Sequence, residues 1–193
     1  MSLFDQTKIS IPSGERGVYK VERFTVAKSS PFNVYYAAHG RPVPPGEYTR
    51  LCRNGKVIMS DTPAEIRDHF EIIHRATGRV LINGLGLGVV LRAILYKPEI
   101  IHVDVVEVSE DIIHLVAPSY LDPRVKIHHN DAFAIQWPKG EPRWNVVWHD
   151  IWDDICVDNL AEMAILHRKY GRRCDWQGSW SKELCKRLRQ RKI

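Results

Sequence analysis

Four groups of chemically capable residues recur along the middle of the chain. Gly84-Leu85-Gly86-Leu87-Gly88 follows a short apolar run, Arg79–Asn83, and opens an apolar helical pattern. Glycines there permit positive φ in a tight turn and let a ligand approach the backbone. The helix that follows presents N–H groups with no helical partner. The spacing is G-x-G-x-G. A dinucleotide site wants its third small residue one position later, where Val89 stands, so close pyrophosphate binding is disfavoured. Glu107 ends a Val-rich run 19 residues beyond Gly88. A carboxylate there can accept both ribose hydroxyls of an adenosine. Asp131, followed by Ala132, ends the next apolar run. It can accept from an adenine amino group, or it can turn the chain through its own backbone. His149-Asp150-Ile151-Trp152-Asp153-Asp154 closes a fourth run. Asp150, Asp153 or His149 can hold or deprotonate a nucleophile, while Asp153 or Asp154 can instead cap a following helix.

Positioning these groups requires a particular order of elements. From Arg79 the pattern reads strand, glycine loop, helix, strand, helix, strand, strand. The strands are Arg79–Asn83, His102–Val108, Val125–His129 and Asn145–His149, with helices Val89–Tyr96 and Glu110–Ala117 between them. The near-continuous Val of the second strand suits a strand covered on both faces, and such alternation builds a parallel sheet. All four groups then fall at C-terminal strand ends, where open α/β sheets bind ligands. Upstream, Val18–Val26 and Phe32–Ala38 read as strands, and Tyr48–Arg53 and Lys56–Met59 flank an Asn54-Gly55 hairpin turn. Asp61-Thr62-Pro63 starts a helix with Ile66, Phe70 and Ile73 on its buried face. Downstream, Asp154–Tyr170 and Trp176–Arg191 read as helices, the latter with Trp176 and Trp180 on one face as packing.

Charge is uneven. Residues 166–193 hold ten Lys/Arg against Asp175 and Glu183, a net +8, and the remainder is −3. The basic stretch can meet phosphate backbones weakly, or it can be a solvated helix face. The cysteines at 52, 156, 174 and 185 form no C-x-x-C. That points to free thiols in a reducing cytoplasm, and no metal site is expected. No apolar run reaches the roughly 20 residues of a membrane span, and the N-terminus lacks the pattern of a secretory signal. The length fits one domain with appendages.

The series strand–GLGLG–helix, DVVEVSEDI, DPRVKIHHNDAF and WNVVWHDIWDD resembles the class I S-adenosylmethionine-dependent methyltransferases. Within them it is most similar to the spermidine synthase branch, over roughly residues 50–155. The resemblance implies an α/β, Rossmann-like fold with a mostly parallel sheet and flanking helices. The residues themselves divide into an N-terminal β-rich region (1–60), a cofactor-binding core (61–155) and a basic helical tail (156–193), and the chain departs from the branch in offering no sequence for strands beyond the fourth. Carried over, Gly84, Gly86 and Gly88 line the amino-acid side of S-adenosylmethionine, Glu107 binds ribose, and Asp131 with Ala132 binds adenine. Asp150, with Asp153 of the same D-x-x-D, serves the attacking nucleophile. The chain departs from that branch at Asn83 and Leu85 around the loop, at Met59 in place of a Gln, at Asp68 before His69, and at Asp154 in place of a Pro. The expected activity is therefore methyl transfer to an unknown N or O nucleophile. The alternatives are aminopropyl transfer with the decarboxylated cofactor, or a non-catalytic cofactor-binding domain. Asn/Asp-Pro-Pro-Tyr/Phe and a Pro-Cys nucleophile are absent, which excludes the usual base methylation motifs. A homodimer is allowed, and no membrane partner is expected.

Overall fold

The computed structural model describes residues 8–28, 41–140 and 142–191. The Phe32–Ala38 strand expected from sequence lies outside them. The described elements make two sheets. The first is an antiparallel meander of β1 (Gly14–Arg16), β2 (Tyr19–Val26), β3 (Gly46–Arg53) and β4 (Lys56–Ser60). Asn54 and Gly55 join β3 to β4 with φ of 50° and 77°. Two successive positive φ values are what a tight, right-twisted hairpin demands, and Asn-Gly supplies them at least cost.

The second sheet holds β5 (Gly78–Asn83), β6 (Ile100–Glu107), β7 (Val125–His129), β8 (Trp144–His149) and β9 (Cys174–Ser179). The order is β7-β6-β5-β8-β9, and every neighbouring pair is parallel. Strand order therefore reverses between β5 and β8, which opens a crevice at their C-terminal ends. Helices α1 (Pro63–Asp68), α2 (Phe70–Arg75), α3 (Val89–Leu95), α4 (Glu110–Val116), α5 (Asn159–Tyr170) and α6 (Lys182–Gln190) accompany the sheets. Alternate residues of the central strands feed two cores. Val80, Ile82, Val146 and Trp148 join α2, α3 and the meander, while Leu81 and Val147 meet Leu166 and Tyr170 of α5. No helix among the described residues is long and apolar enough to cross a membrane.

Several sequence expectations are corrected. Residues 176–191 are not one helix, because Cys174–Ser179 is a fifth parallel strand that pairs with β8 from Trp144↔Cys174 to His149↔Ser179. The +8 stretch thus contributes to the core sheet instead of forming a separate helical tail, and the expected limit of four strands falls with it. Trp176 lies on the strand and stacks on Trp148, centroids 6.4 Å apart, so it shares no helix face with Trp180. Gly178 makes room for that stack, since a Cβ there would stand 2.5 Å from the Trp176 ring and 2.7 Å from Trp148. The helix expected from Asp154 begins only at Asn159. The helix after Pro63 breaks at His69, where φ and ψ are −102° and 6°. Ile66, Ile72 and Ile73 are buried, but Phe70 turns outward.

Candidate functional site

The C-terminal ends of β5, β6, β7 and β8 surround a cavity of about 370 Å³. Its wall contains Gly84, Gly86, Glu107, Asp131, Ala132, Asp150 and Asp153. These residues span 70 positions of sequence and come from four successive strand ends, so the parallel topology is what assembles them. The other wall is the β3–β4 hairpin and its neighbours, with Tyr19, Leu51, Arg53, Ile58 and Met59. Two ion pairs clasp that hairpin onto the loop after β8. Arg53 meets Asp153 at 2.7 Å, and Lys56 meets Asp154. Trp152 closes the side by donating its indole N–H to Glu162 of α5, 2.6 Å away.

The glycine loop is held mostly by the chain itself. Gly84 N–H donates to Val106 O, Leu85 N–H to Glu107 Oε2, Leu87 N–H to Met59 Sδ and Gly88 N–H to Leu85 O. Gly86 N–H has no partner among the described residues, and Gly86 lines the cavity. Gly86 has φ of 50°, and a Cβ on it would stand 2.6 Å from Met59 Sδ. Gly88 is placed differently from the expectation. It is not in the cavity wall, and its Cβ direction is filled by the Tyr120 ring at 2.5 Å. Tyr120 in turn donates its hydroxyl to Leu87 O. Gly88 serves the packing of α3 onto that tyrosine.

Glu107 is buried, and each of its oxygens accepts one backbone N–H, from Leu85 and Ser109, both at 2.8 Å. A carboxylate has about four acceptor positions, so it fixes the loop and keeps capacity toward the cavity. Asp131 accepts from Phe133 N–H at 2.7 Å, which makes it a turn-forming residue on the cavity wall. Ala132 lies beside it, its carbonyl held by the Tyr170 hydroxyl at 3.0 Å.

Asp150 differs from the other acids. Its side chain is 9% exposed and opens on the cavity, and its carboxyl takes no hydrogen bond among the described residues. His69 Nε2 lies 3.8 Å from Oδ2, beyond hydrogen-bond reach. Burial pushes the Asp150 carboxyl up to about 8, with repulsion from Glu65, Asp68 and Glu107 adding to it. Glu65, beside Ser60, is pushed up to about 7 by loss of solvent. His69 is driven down to about 4 by burial, so it is a neutral neighbour. Two carboxyls therefore hold protons near neutrality.

His149 is overturned as a candidate to hold or deprotonate a nucleophile. It is fully buried on the opposite face of the sheet and does not line the cavity. Its Nδ1 faces Asn83 Nδ2 at 2.8 Å and its Nε2 faces Gln177 Oε1 at 3.2 Å. The Gln oxygen can only accept, so Nε2 carries the proton and Nδ1 accepts from the Asn amide. Burial drives its pKa down to about 3. The sequence missed Tyr19 and Arg53, for which no local signal exists, and Glu162 in the first turn of α5; Met59, read only as a departure in place of a Gln, also lines the cavity.

No family model matches the chain, and no curated protein sequence does. Among solved structures, the [4+2]-cyclase SpnF is similar at 20% identity, over 60% of this chain and 44% of its own, with a TM-score of 0.47. Spermidine synthase from Thermotoga maritima is similar at 18% identity, over 72% of this chain and 46% of its own, with a TM-score of 0.43. The CcbJ methyltransferase from Streptomyces caelestis is similar at 21% identity, over 56% and 43%, with a TM-score of 0.43. The chain spans less than half the length of each.

Proposed function

We propose that the cavity binds the adenosyl part of S-adenosylmethionine and serves methyl transfer to an N or O nucleophile. The observation that carries this reading is the convergence of Gly84, Gly86, Glu107, Asp131 and Asp150 on one cavity beside the point of strand reversal. Its volume, about 370 Å³, falls within the range of small-molecule sites. The residues present fit such a ligand. Gly86 offers an open N–H, Glu107 offers a fixed carboxylate for vicinal hydroxyls, and Asp131 with Ala132 forms the far wall. When bound, the cofactor supplies a methyl group on a sulfonium, open to in-line attack. The chain's part is to orient both reactants, the largest source of rate in such displacements. Asp150 holds its proton when the cavity is empty of charge and ionises when a cationic group enters beside it. Ionised, it can accept a hydrogen bond from an amine; protonated, it can donate one to a hydroxyl oxygen.

One feature favours a second reading, aminopropyl transfer from the decarboxylated cofactor. Five carboxyl residues line the cavity (Glu107, Asp131, Asp150, Asp153 and Glu162), and its basic side chain, Arg53, is already paired with Asp153. A cationic ligand that lacks a carboxylate suits that wall. Calorimetry with S-adenosylmethionine, its decarboxylated form, S-adenosylhomocysteine, methylthioadenosine and NAD tests both readings. Binding of S-adenosylmethionine and S-adenosylhomocysteine is expected, and a tenfold preference for the decarboxylated form would move the assignment to the second reading. Tight NAD binding without response to S-adenosylhomocysteine would overturn both.

A further inference from the structure

Met59 reaches the glycine loop because β4 is irregular. In the β3–β4 ladder Leu51 pairs with Met59 and Cys52 with Val57, so Ile58 is an extra residue on its strand. Such a bulge bends a strand and re-aims its side chains. Neighbours along a regular strand point to opposite faces, yet Ile58 and Met59 both line the cavity. The Met59 Sδ accepts the Leu87 N–H at 3.2 Å. Tyr120, which follows α4, donates its hydroxyl to Leu87 O at 2.7 Å. Side chains from two distant elements thus hold both backbone polar groups of one loop residue.

We infer that Met59 and Tyr120 are positioning residues that clamp the glycine loop in its ligand-binding shape, an inference that rests on the proposed adenosyl site. Gly84, Gly86 and Gly88 have φ of 99°, 50° and 71°. Glycine loses more freedom on ordering than any other residue, so such a loop needs outside restraint to keep one shape. The donors on either side of Gly86 are both taken by the chain itself, Leu85 N–H by Glu107 and Leu87 N–H by Met59. The Gly86 N–H is the loop donor left without a partner among the described residues, and Gly86 is in the cavity wall. The same thioether sets the residue type at position 86, since a Cβ there would stand 2.6 Å from Sδ. Ordering the loop before the ligand arrives removes that cost from binding and raises affinity.

The test pairs amide hydrogen exchange, read by NMR on the ligand-free protein, with calorimetry of S-adenosylhomocysteine. Met59→Leu keeps the bulk and removes the acceptor, while Met59→Gln returns an acceptor oxygen on a side chain of similar length. Tyr120→Phe removes the hydroxyl and keeps the ring that packs on Gly88. In Met59→Leu the Leu87 amide should exchange about tenfold faster, and Met59→Gln should restore it. Leu81, held by ladders on both sides of β5, should exchange as in the parent. Affinity for S-adenosylhomocysteine should fall about fivefold in Met59→Leu and in Tyr120→Phe, the size of one lost hydrogen bond, and recover in Met59→Gln. If Met59→Leu does not fold, Tyr120→Phe carries the same two measurements. Unchanged Leu87 exchange, an equal rise at Leu81, or a loss that Met59→Gln does not repair overturns the clamp. A parent protein that does not bind S-adenosylhomocysteine overturns the proposed function instead, and the Leu87 exchange rates still decide the clamp.

Discussion

At the scale of single residues, Asp150 and Glu107 divide two kinds of work. Asp150 keeps its proton to about pH 8 in the folded chain and releases it near 4 once unfolded. The native state therefore binds more protons across that window. Its contribution is complete below about pH 4 and is lost as pH rises toward 8. Glu65, pushed up to about 7, acts in the same direction. Asp150→Asn should flatten that decline and make the protein more stable at pH 8, by on the order of 2 kcal/mol. Urea unfolding at pH 5 and pH 8 would show it, and an unchanged difference between the two pH values would count against a protonated Asp150. Glu107 is already a structural acceptor, so replacement by Ala would confuse loop and ligand effects. Glu107→Gln keeps one of the two loop bonds, sets its NH2 against the other backbone donor, and should weaken adenosine binding by about tenfold or more through the lost charge-assisted bond and the loosened loop together. Calorimetry on the folded variant decides it.

At the scale of elements, the sheet is bound by more than its ladders. Asp104 of β6 is buried and accepts from His128 of β7 at 2.8 Å and from the Trp144 indole of β8 at 2.9 Å. His102 lies 3.2 Å from the same carboxylate. Burial alone would raise its pKa, but the bonds from His128, Trp144 and His102 outweigh it and hold the carboxylate low. Its contribution is thus present above about pH 4 and is lost as pH falls through the folded value. Asp104→Asn should cost about 2–3 kcal/mol at pH 7, since it weakens several charge-assisted bonds in a buried site. The penalty should shrink toward pH 3, which denaturant titration at both pH values can measure. By contrast, the exposed clasp of Arg53 and Lys56 on Asp153 and Asp154 should matter little for stability, about 0–1 kcal/mol per pair. Its use is to hold the hairpin as one wall of the cavity.

At the scale of the whole molecule, charge separates from the binding crevice. Arg168, Arg172, Arg187, Arg189 and Arg191 are exposed and form no ion pair among the described residues, while the cavity is acidic. Any affinity for polyanions should therefore reside on α5 and α6. Neutralising Lys186, Arg187, Arg189 and Arg191 together should abolish most binding to a mixed oligonucleotide. The residual salt dependence should be shallower by about one unit per lost phosphate contact. Cofactor affinity should stay the same, because exposed charges beyond about 8–10 Å are screened. If the intact protein binds no oligonucleotide at low salt, the basic face is a solvated surface.

The sequence by itself determined what depends on local pattern. The Asn54-Gly55 turn, the Pro63 helix start, the glycine loop and four parallel strands follow from backbone preference and hydrophobic period, which neighbours along the chain decide. The acids at the ends of β6, β7 and β8 were legible for the same reason: a strand end is a local feature. Tertiary structure decided the rest. Cys174–Ser179 carries a Gly and little apolar period, and becomes a strand only because β8 offers it a ladder and Trp148 a stacking partner. Gly88 and His149 look like ligand groups in sequence, yet packing against Tyr120 and burial between Asn83 and Gln177 turn both inward. Asp150 reads as an ordinary acid, and only burial beside three other carboxyls raises it to a protonated group facing a cavity. Desolvation and through-space repulsion depend on what surrounds a residue in three dimensions, and no spacing along the chain encodes them.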